Sequence, residues 1–397
     1  MSASEKSNLH FKLLASAISL LFSWIMLEIA LPFLDHRLAS YFHQPVTKEN
    51  HPPERASAVL TSETFDPDLG WDRQHPIKDY VEGTSYFAQA YGDSFVKSGN
   101  GGHRTWQETF RENTGQGILN FGVGGYGLDQ ALLKFEKHHA AHKEKEKTRL
   151  VILGIFSQPL RRSLSRFSFY YFQNKADWEF VFKPQFVKSP QGIELLKLPC
   201  QDAQCLNSLM VNRDNPVFDS MAKHDYWYQQ DLLKPPAAFP RLFRYAKAFP
   251  RYFHKKRQAT GEEPAVFVTP FVLELSQYLI ERFVQGAQEQ GVTPILLLMY
   301  TKNELQHIKR GYREDAPLVQ FLEHQKITYI DTAPYFIKHH SMDDGFESLF
   351  LPNDGHYNLN GDVFVAQALQ EGLEKLGLMA EPPPVDGQQP DAGLPSQ

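Results

Sequence analysis

The chain has 397 residues, 42% of them hydrophobic and 22% charged, with a formal net charge of -5. That length suits one large domain or two ordinary ones, and the composition is that of a globular protein, not a disordered or fibrous one. The small negative charge excludes bulk attraction to nucleic acid, and no nucleic-acid motif occurs.

The first element is apolar. Between Lys12 and Asp35 runs "LLASAISLLFSWIMLEIALPFL", interrupted only by Glu28 and Pro32. As a helix it is ~33 Å long, enough to cross a bilayer core. This predicts a transmembrane helix over 13–34 and a single-pass anchor. Lys6 and Lys12 favour a cytoplasmic N-terminus and an exported, periplasmic or otherwise extracytoplasmic body. Glu28, near the far end, reaches the interface. A cleaved signal peptide would want a shorter apolar core and a small-x-small site, which "HRLAS" serves poorly. Residues 35–80, with "HQPVTKENHPPERAS", read as a stalk or as a strap over the domain that follows.

From 81 to 378 strands and helices alternate. "SYFAQAYG" is a strand, "TWQETFRENTG" a helix stopped by Gly115, and "GILNFG" a second strand. "LDQALLKFEKHHAAHKEKEK" is a helix and "RLVILGIF" a third, fully buried strand. "PFVLELSQYLIERFVQGAQEQG" sets Leu275, Leu279 and Phe283 on one helical face. The strand "TPILLLMY", helix "APLVQFLEHQ", strand "ITYID" and helix "LNGDVFVAQALQEGLEKLG" complete the series. Such alternation predicts a parallel, doubly wound α/β sheet whose sites lie at the carboxyl ends of its strands. The interval 157–266 breaks the rhythm and reads as an insertion. Its basic, aromatic stretch 239–257 is a partly buried helix pair or a surface for a membrane or an anionic glycan. The tail 379–397 is proline-rich and reads as disordered.

Cys200 and Cys205, the chain's only cysteines, either close a small disulfide or stay as two thiols. They are too few for a metal site. His138 and His142 in "HHAAH" stand one helical turn apart but lack the glutamate of a zinc helix, and read as a solvated face. No cofactor and no metal are expected.

The chemistry concentrates in three loops. Ser94 in "AYGDSF" follows the first strand, near a helix start whose N–H groups suit an oxyanion. A serine hydroxyl needs a base, normally a histidine held by a third group. Of the sixteen histidines, His356 in "PNDGHYNLNG" has Asp354 two residues before it and lies on the same rim. The alternative is that Asp354 and His356 only build a turn and cap. The glycines of "NFGVGGYG" allow close backbone approach, as a tight turn or as the source of an oxyanion N–H from Gly125. Arg161, Arg162 and Arg166 line the pocket or pair with acids.

In that order "YGDSF", "NFGVGGYG" and "DGHYN" resemble the signature blocks of the SGNH/GDSL hydrolase superfamily over roughly 84–378, the insertion excepted. The resemblance implies a three-layer α/β/α, flavodoxin-like fold. It implies Ser94 as nucleophile and oxyanion donor, Gly125 as second donor, His356 as base and Asp354 as its orienting acid. The third block departs: where the family carries Gly-x-Asn-Asp this chain has "GIFSQPLRR", leaving Ser157 or Gln158 to replace the donor, or none. Asn353 occupies the family's usual aspartate position. The expected activity is that of a membrane-anchored serine esterase on acyl, foremost acetyl, esters of an envelope glycan or exopolysaccharide. A glycan O-acetyltransferase with the same triad and a non-catalytic envelope scaffold stand as alternatives. The substrate class rests on analogy.

Overall fold

The computed structural model describes residues 16, 18–26, 65–72, 86–146, 148–166, 182–211, 216–226, 269–352 and 354–379. The chain divides into two compact units: Met1–Val59 with Phe169–Phe180 and Asn207–Pro264, and Leu60–Ser168 with Val181–Leu206 and Ala265–Gln397.

In the larger unit a hairpin comes first, β1 (Phe65–Asp66) and β2 (Gly70–Trp71). Strand β3 (Tyr86–Tyr91) is followed by the one-turn helix α1 (Ser94–Lys97) and by α2 (Trp106–Thr114). Helix α2 is bounded as its sequence dictates: Thr105 and Glu108 form a reciprocal capping box, and Gly115 ends it in the left-handed conformation. Next come β4 (Gly117–Asn120), α3 (Leu128–Glu146), β5 (Leu150–Ile155) and α4 (Ser157–Arg162). Strands β6 (Gln185–Ser189) and β7 (Gly192–Leu196) form a separate antiparallel hairpin. Then follow α5 (Pro270–Glu289), β8 (Thr293–Leu298), α6 (Lys302–Lys309), α7 (Ala316–His324), β9 (Tyr329–Asp331), α8 (Ala333–His339) and α9 (Leu359–Lys375).

The five sheet strands are parallel in the order β4-β3-β5-β8-β9. Every residue of β3, β4 and β5 is buried, as a sheet covered on both faces requires. Right-handed crossovers put α2 on one face and α3, α5 and α7 on the other. Accordingly α2 packs on α9, and α5 packs on α3 and α7. The order reverses between β3 and β5, so the crevice at their carboxyl ends is the topological switch point of the sheet.

Three expectations become more definite. Residues 65–72, placed by sequence in a stalk or strap, are a hairpin fastened to the sheet unit: Leu69 is fully buried, and the Trp71 carbonyl accepts from Tyr126 Oη at 2.6 Å. Within the expected insertion, 157–162 and 182–206 belong to the same unit as the sheet. Cys200 and Cys205 form a disulfide.

The smaller unit contributes the helical residues 18–26 and the helix Pro216–Ala222. Ile18, Leu20, Leu21, Phe22, Trp24, Ile25 and Met26 are all exposed. Among the described residues no helix is long and apolar enough to cross a membrane. The rest of 13–34, the stretch 239–257 and the tail from 380 lie outside the described residues.

Candidate active site

The turn carrying Ser94 is held from every side. Asp93 caps α1 by accepting the Phe95 N–H at 3.0 Å. The Ser94 carbonyl accepts the Ser98 N–H at 2.9 Å, a single helical turn leaves the later carbonyls without helical partners, and all four receive a side-chain donor. Asn100 Nδ2 reaches the Ser94 carbonyl at 3.3 Å, and Trp106 Nε1 that of Phe95 at 3.2 Å. Gln107 Nε2 takes Val96 at 2.7 Å, and Asn120 Nδ2 takes Lys97 at 2.8 Å. Three glycines at the strand ends make room for this turn. A Cβ on Gly92 or Gly154 would meet Val96 Cγ2 at 2.3 or 2.2 Å, and one on Gly122 would meet the Lys97 nitrogen at 2.1 Å.

The base comes from the loop before α9. Phe350 and Tyr357 form a bridge, the Leu351 N–H donates to the His356 carbonyl at 2.8 Å, and Gly355 turns the chain with φ +82°. Tyr357, buried, donates its hydroxyl proton to the Tyr300 carbonyl at 2.7 Å and accepts the Tyr300 N–H at 3.1 Å. That fastens the loop to the end of β8. Phe95 packs against both His356 and Tyr357, with ring centroids 5.4 and 5.0 Å apart.

The result brings together the three residues singled out by sequence. His356 Nε2 is 2.8 Å from Ser94 Oγ, and His356 Nδ1 is 2.6 Å from Asp354 Oδ1. The carboxylate engages the Nδ1 proton, so the Nε2 lone pair faces the hydroxyl. Asn353 lies outside the described residues. Ser94 Oγ also stands 3.3 Å from Asp93 Oδ2, a longer contact than that to the imidazole.

Gly125 is buried at φ +80° in the loop after β4, and no described residue accepts its N–H or that of Ser94. The β1–β2 hairpin braces this loop: Trp71 Nε1 donates to the Gly124 carbonyl at 3.1 Å, and the Trp71 and Tyr126 rings meet edge-on.

At the third loop the residue two after Gly154 is Phe156, buried, with its ring centre 4.2 Å from that of Phe95. It offers no donor there. Burial pushes up the pKa of Glu304, and the nearby Ser157 hydroxyl works against that rise. Gln158 is exposed, and its Oε1 accepts from Arg162 Nη2 at 2.7 Å.

Sequence reasoning missed the role of Asp93. It is buried, and Arg162 Nη1 donates to its Oδ2 at 2.9 Å while also reaching the Tyr126 carbonyl at 3.3 Å. Burial raises the Asp93 pKa, and the guanidinium works against that rise. Arg162 was one of three arginines read as pocket-lining or paired, and no spacing rule links it to residue 93. Arg166 donates to the Lys197 carbonyl at 2.9 Å. Also missed was His103, whose Nε2 lies 2.8 Å from Oδ2 of buried Asp362 and so ties the loop after α1 to α9.

The reading of "HHAAH" as a solvated face is corrected for its first part. His138 lies beside Asp72 and stacks on Phe121, and neighbouring His139 is fully buried with Nδ1 2.7 Å from Gln89 Oε1. The helix turns this end toward the sheet, where buried polar groups need partners. Among the described residues no group of three or more His, Cys, Asp and Glu is placed to hold a metal ion.

No family model matches the chain, and no curated protein matches it. Solved structures similar to it include a GDSL-like lipase from Bacteroides thetaiotaomicron, at 10% identity and TM-score 0.34 over 75% of this chain and 92% of that one. An acetyl xylan esterase matches at 12% identity and TM-score 0.36 over 72% and 98%. A catalytic mutant of an acetylxylan esterase from Geobacillus stearothermophilus matches at 11% and 0.36 over 74% and 95%.

Proposed function

We propose that this chain is a serine esterase acting through Ser94, His356 and Asp354. One observation carries the reading: the His356 imidazole sits between the Ser94 hydroxyl at 2.8 Å and the Asp354 carboxylate at 2.6 Å. Those separations are the hydrogen-bond reach that nucleophile, base and orienting group need.

In this mechanism Ser94 Oγ attacks an ester carbonyl carbon while its proton passes to His356 Nε2. The carbonyl oxygen becomes an oxyanion, for which the N–H groups of Ser94 and Gly125 are the donors. Collapse of the intermediate breaks the ester C–O bond, and the leaving alcohol takes the proton from His356. Water then attacks the acyl-enzyme, giving one proton to His356. Collapse releases the acid and returns that proton to Ser94. Asp354 keeps the imidazole in the required tautomer throughout.

The substrate in this reading is an acetyl ester of an envelope glycan or exopolysaccharide, and the protein is tethered by its N-terminus with the sheet unit exported. Two features support the location. Residues 18–26 expose a run of large apolar side chains, and Cys200 and Cys205 are joined, as suits an oxidising compartment. The test is labelling of membrane fractions with a fluorophosphonate and assay of acetate release from acetylated polysaccharide. Labelling and release both lost in Ser94→Ala are the expected result. A folded wild-type protein that takes no label removes the enzyme reading in favour of a scaffold. Acetyl transfer to an added glycan, in place of acetate release, turns it into a transferase.

A further inference from the structure

A second histidine–carboxylate pair lies beside the site and takes no part in the chemistry above. His103 Nε2 is 2.8 Å from Asp362 Oδ2, on residues 259 positions apart. His103 belongs to the loop that follows the Ser94 turn, and Asp362 stands in the first turn of α9, which follows the His356 loop. The pair therefore spans the same two segments as the Ser94–His356 contact, whose residues are 262 positions apart. The Asp362 side chain is 1% exposed and that of His103 14%. A carboxyl group so deep needs bonded partners, and the loop supplies them: the Gly99 N–H also donates to Oδ2, at 3.4 Å.

The same loop grips the backbone of the nucleophile. The Ser98 N–H and Asn100 Nδ2 both donate to the Ser94 carbonyl, at 2.9 and 3.3 Å. Ser98, Gly99, Gly101 and Gly102 have φ of +56, +62, +97 and +81°. Glycine adopts such angles freely, but serine does so only where its surroundings fix it. A loop this rich in glycine has little stiffness of its own, so the bonds at its far end set its shape. On its other side the loop meets the support of the base. A Cβ on Gly101 would lie 3.5 Å from Leu351 Cδ2, and the Leu351 N–H holds the His356 carbonyl at 2.8 Å.

We propose that His103 and Asp362 are positioning residues for the Ser94–His356 pair: their bond holds the loop against α9 and so sets the distance over which the proton moves from hydroxyl to imidazole. This rests on the serine esterase reading above. Neither side chain touches the reacting atoms. They act through the Ser94 carbonyl on one side and Leu351 on the other.

The experiment uses the full-length chain, with kcat and KM for p-nitrophenyl acetate and the rate at which a fluorophosphonate modifies Ser94. All rates are taken well below the unfolding midpoint of the least stable variant. A misplacement of about 1 Å costs about a hundredfold in rate, so His103→Ala is expected to lower kcat and the labelling rate by about ten- to a hundredfold, with KM little changed. His103→Gln keeps an N–H for the carboxylate and is expected to recover most of the loss. In an Asp362→Ala background, His103→Ala is expected to cost less than about threefold, because residues acting as one unit are not additive. Leu322→Ala, on the buried face of α7, destabilises the chain away from the site and is expected to keep wild-type kcat. A His103→Ala protein that unfolds earlier but keeps wild-type kcat and labelling makes the pair structural only and overturns the proposal. So does a His103→Gln protein as slow as His103→Ala, an undiminished cost in the Asp362→Ala background, or an equal loss of kcat in Leu322→Ala. Wild-type protein with no Ser94-dependent reaction fails the esterase reading itself, and that result is seen before any His103 variant is compared.

Discussion

Phe95 and Phe156 pack with their ring centres 4.2 Å apart and their planes tilted by 31°, joining the residue after the Ser94 position to the loop that leaves β5. The same Phe95 ring also packs against His356, 5.4 Å away. The hydroxyl and the imidazole are 262 residues apart in the chain, and this aromatic cluster is what gives them a common foundation. Aromatic pairs of this kind contribute about 0.5–1.5 kcal/mol beyond the area they bury.

The Asp354 contribution is testable without disturbing the fold. Its side chain is partly exposed, so Asp354→Asn should leave thermal stability nearly unchanged. It should lower kcat roughly a hundred- to a thousandfold, less than the ~10⁴-fold seen for a buried triad aspartate. A kcat within about threefold of wild type would show that Asp354 does not orient the base.

Asp93 and Arg162 form a buried ion pair. Removing one partner strands a buried charge, so Arg162→Met should cost about 3–5 kcal/mol of stability. Asp93→Asn in that background still accepts the Phe95 N–H and carries no charge, so it should recover much of the loss. Chemical denaturation of the single and double variants measures both, and a double variant as unstable as Arg162→Met would contradict the pairing argument.

Gly122→Ala and Gly124→Ala separate close approach from general glycine loss. The added methyl at 122 would fall on the Lys97 backbone nitrogen, which cannot swing aside, whereas at 124 nothing lies within 4 Å. Overpacking typically costs about 1–3 kcal/mol. Denaturation midpoints should therefore fall clearly for position 122 and hardly at all for 124. Equal effects at both positions would refute the contact.

Burial is the main cause that pushes the Asp362 pKa up to about 6, against bonds from Ser98, His103 and Gly99 that favour its ionised form. The ordinary value is 3.8. Between those two pH values the folded chain holds a proton that the unfolded chain has released, so this group's contribution to stability falls as pH rises. The stability of wild type relative to Asp362→Asn should thus drop by up to roughly 3 kcal/mol from pH 4 to pH 6.5. A difference that does not vary with pH would remove this assignment.

Much of this molecule was legible in its sequence because periodicity reports burial directly. The strands at 86–91, 117–120 and 150–155 fell inside the apolar runs read as strands, and Thr105, Glu108 and Gly115 marked the ends of α2. Ser94, Asp354 and His356, which the fold brings together, were singled out because glycine- and aspartate-rich turns after strands mark a rim. Short elements were missed: α6 and α8 are only eight and seven residues long, too few for a clear apolar stripe. The Asp93–Arg162 pair and the His103–Asp362 contact were invisible because they join segments 69 and 259 positions apart. Such pairings depend on how loops meet in space, and local pattern carries no trace of them. The burial of His139 was hidden by its charged neighbours, whose solvation says nothing about the opposite face of the helix.

The four side-chain donors that seize the carbonyls of residues 94–97 have a consequence for how this protein could change over time. Asn100, Trp106, Gln107 and Asn120 sit on a loop, a helix and a strand end, and each grips the backbone rather than any bound molecule. Altering one of them would change what holds the backbone under the hydroxyl without removing Ser94, His356 or Asp354. The chain therefore carries supports for its hydroxyl that lie apart from the three reacting side chains, and reactivity could drift through them while Ser94, His356 and Asp354 stay unchanged.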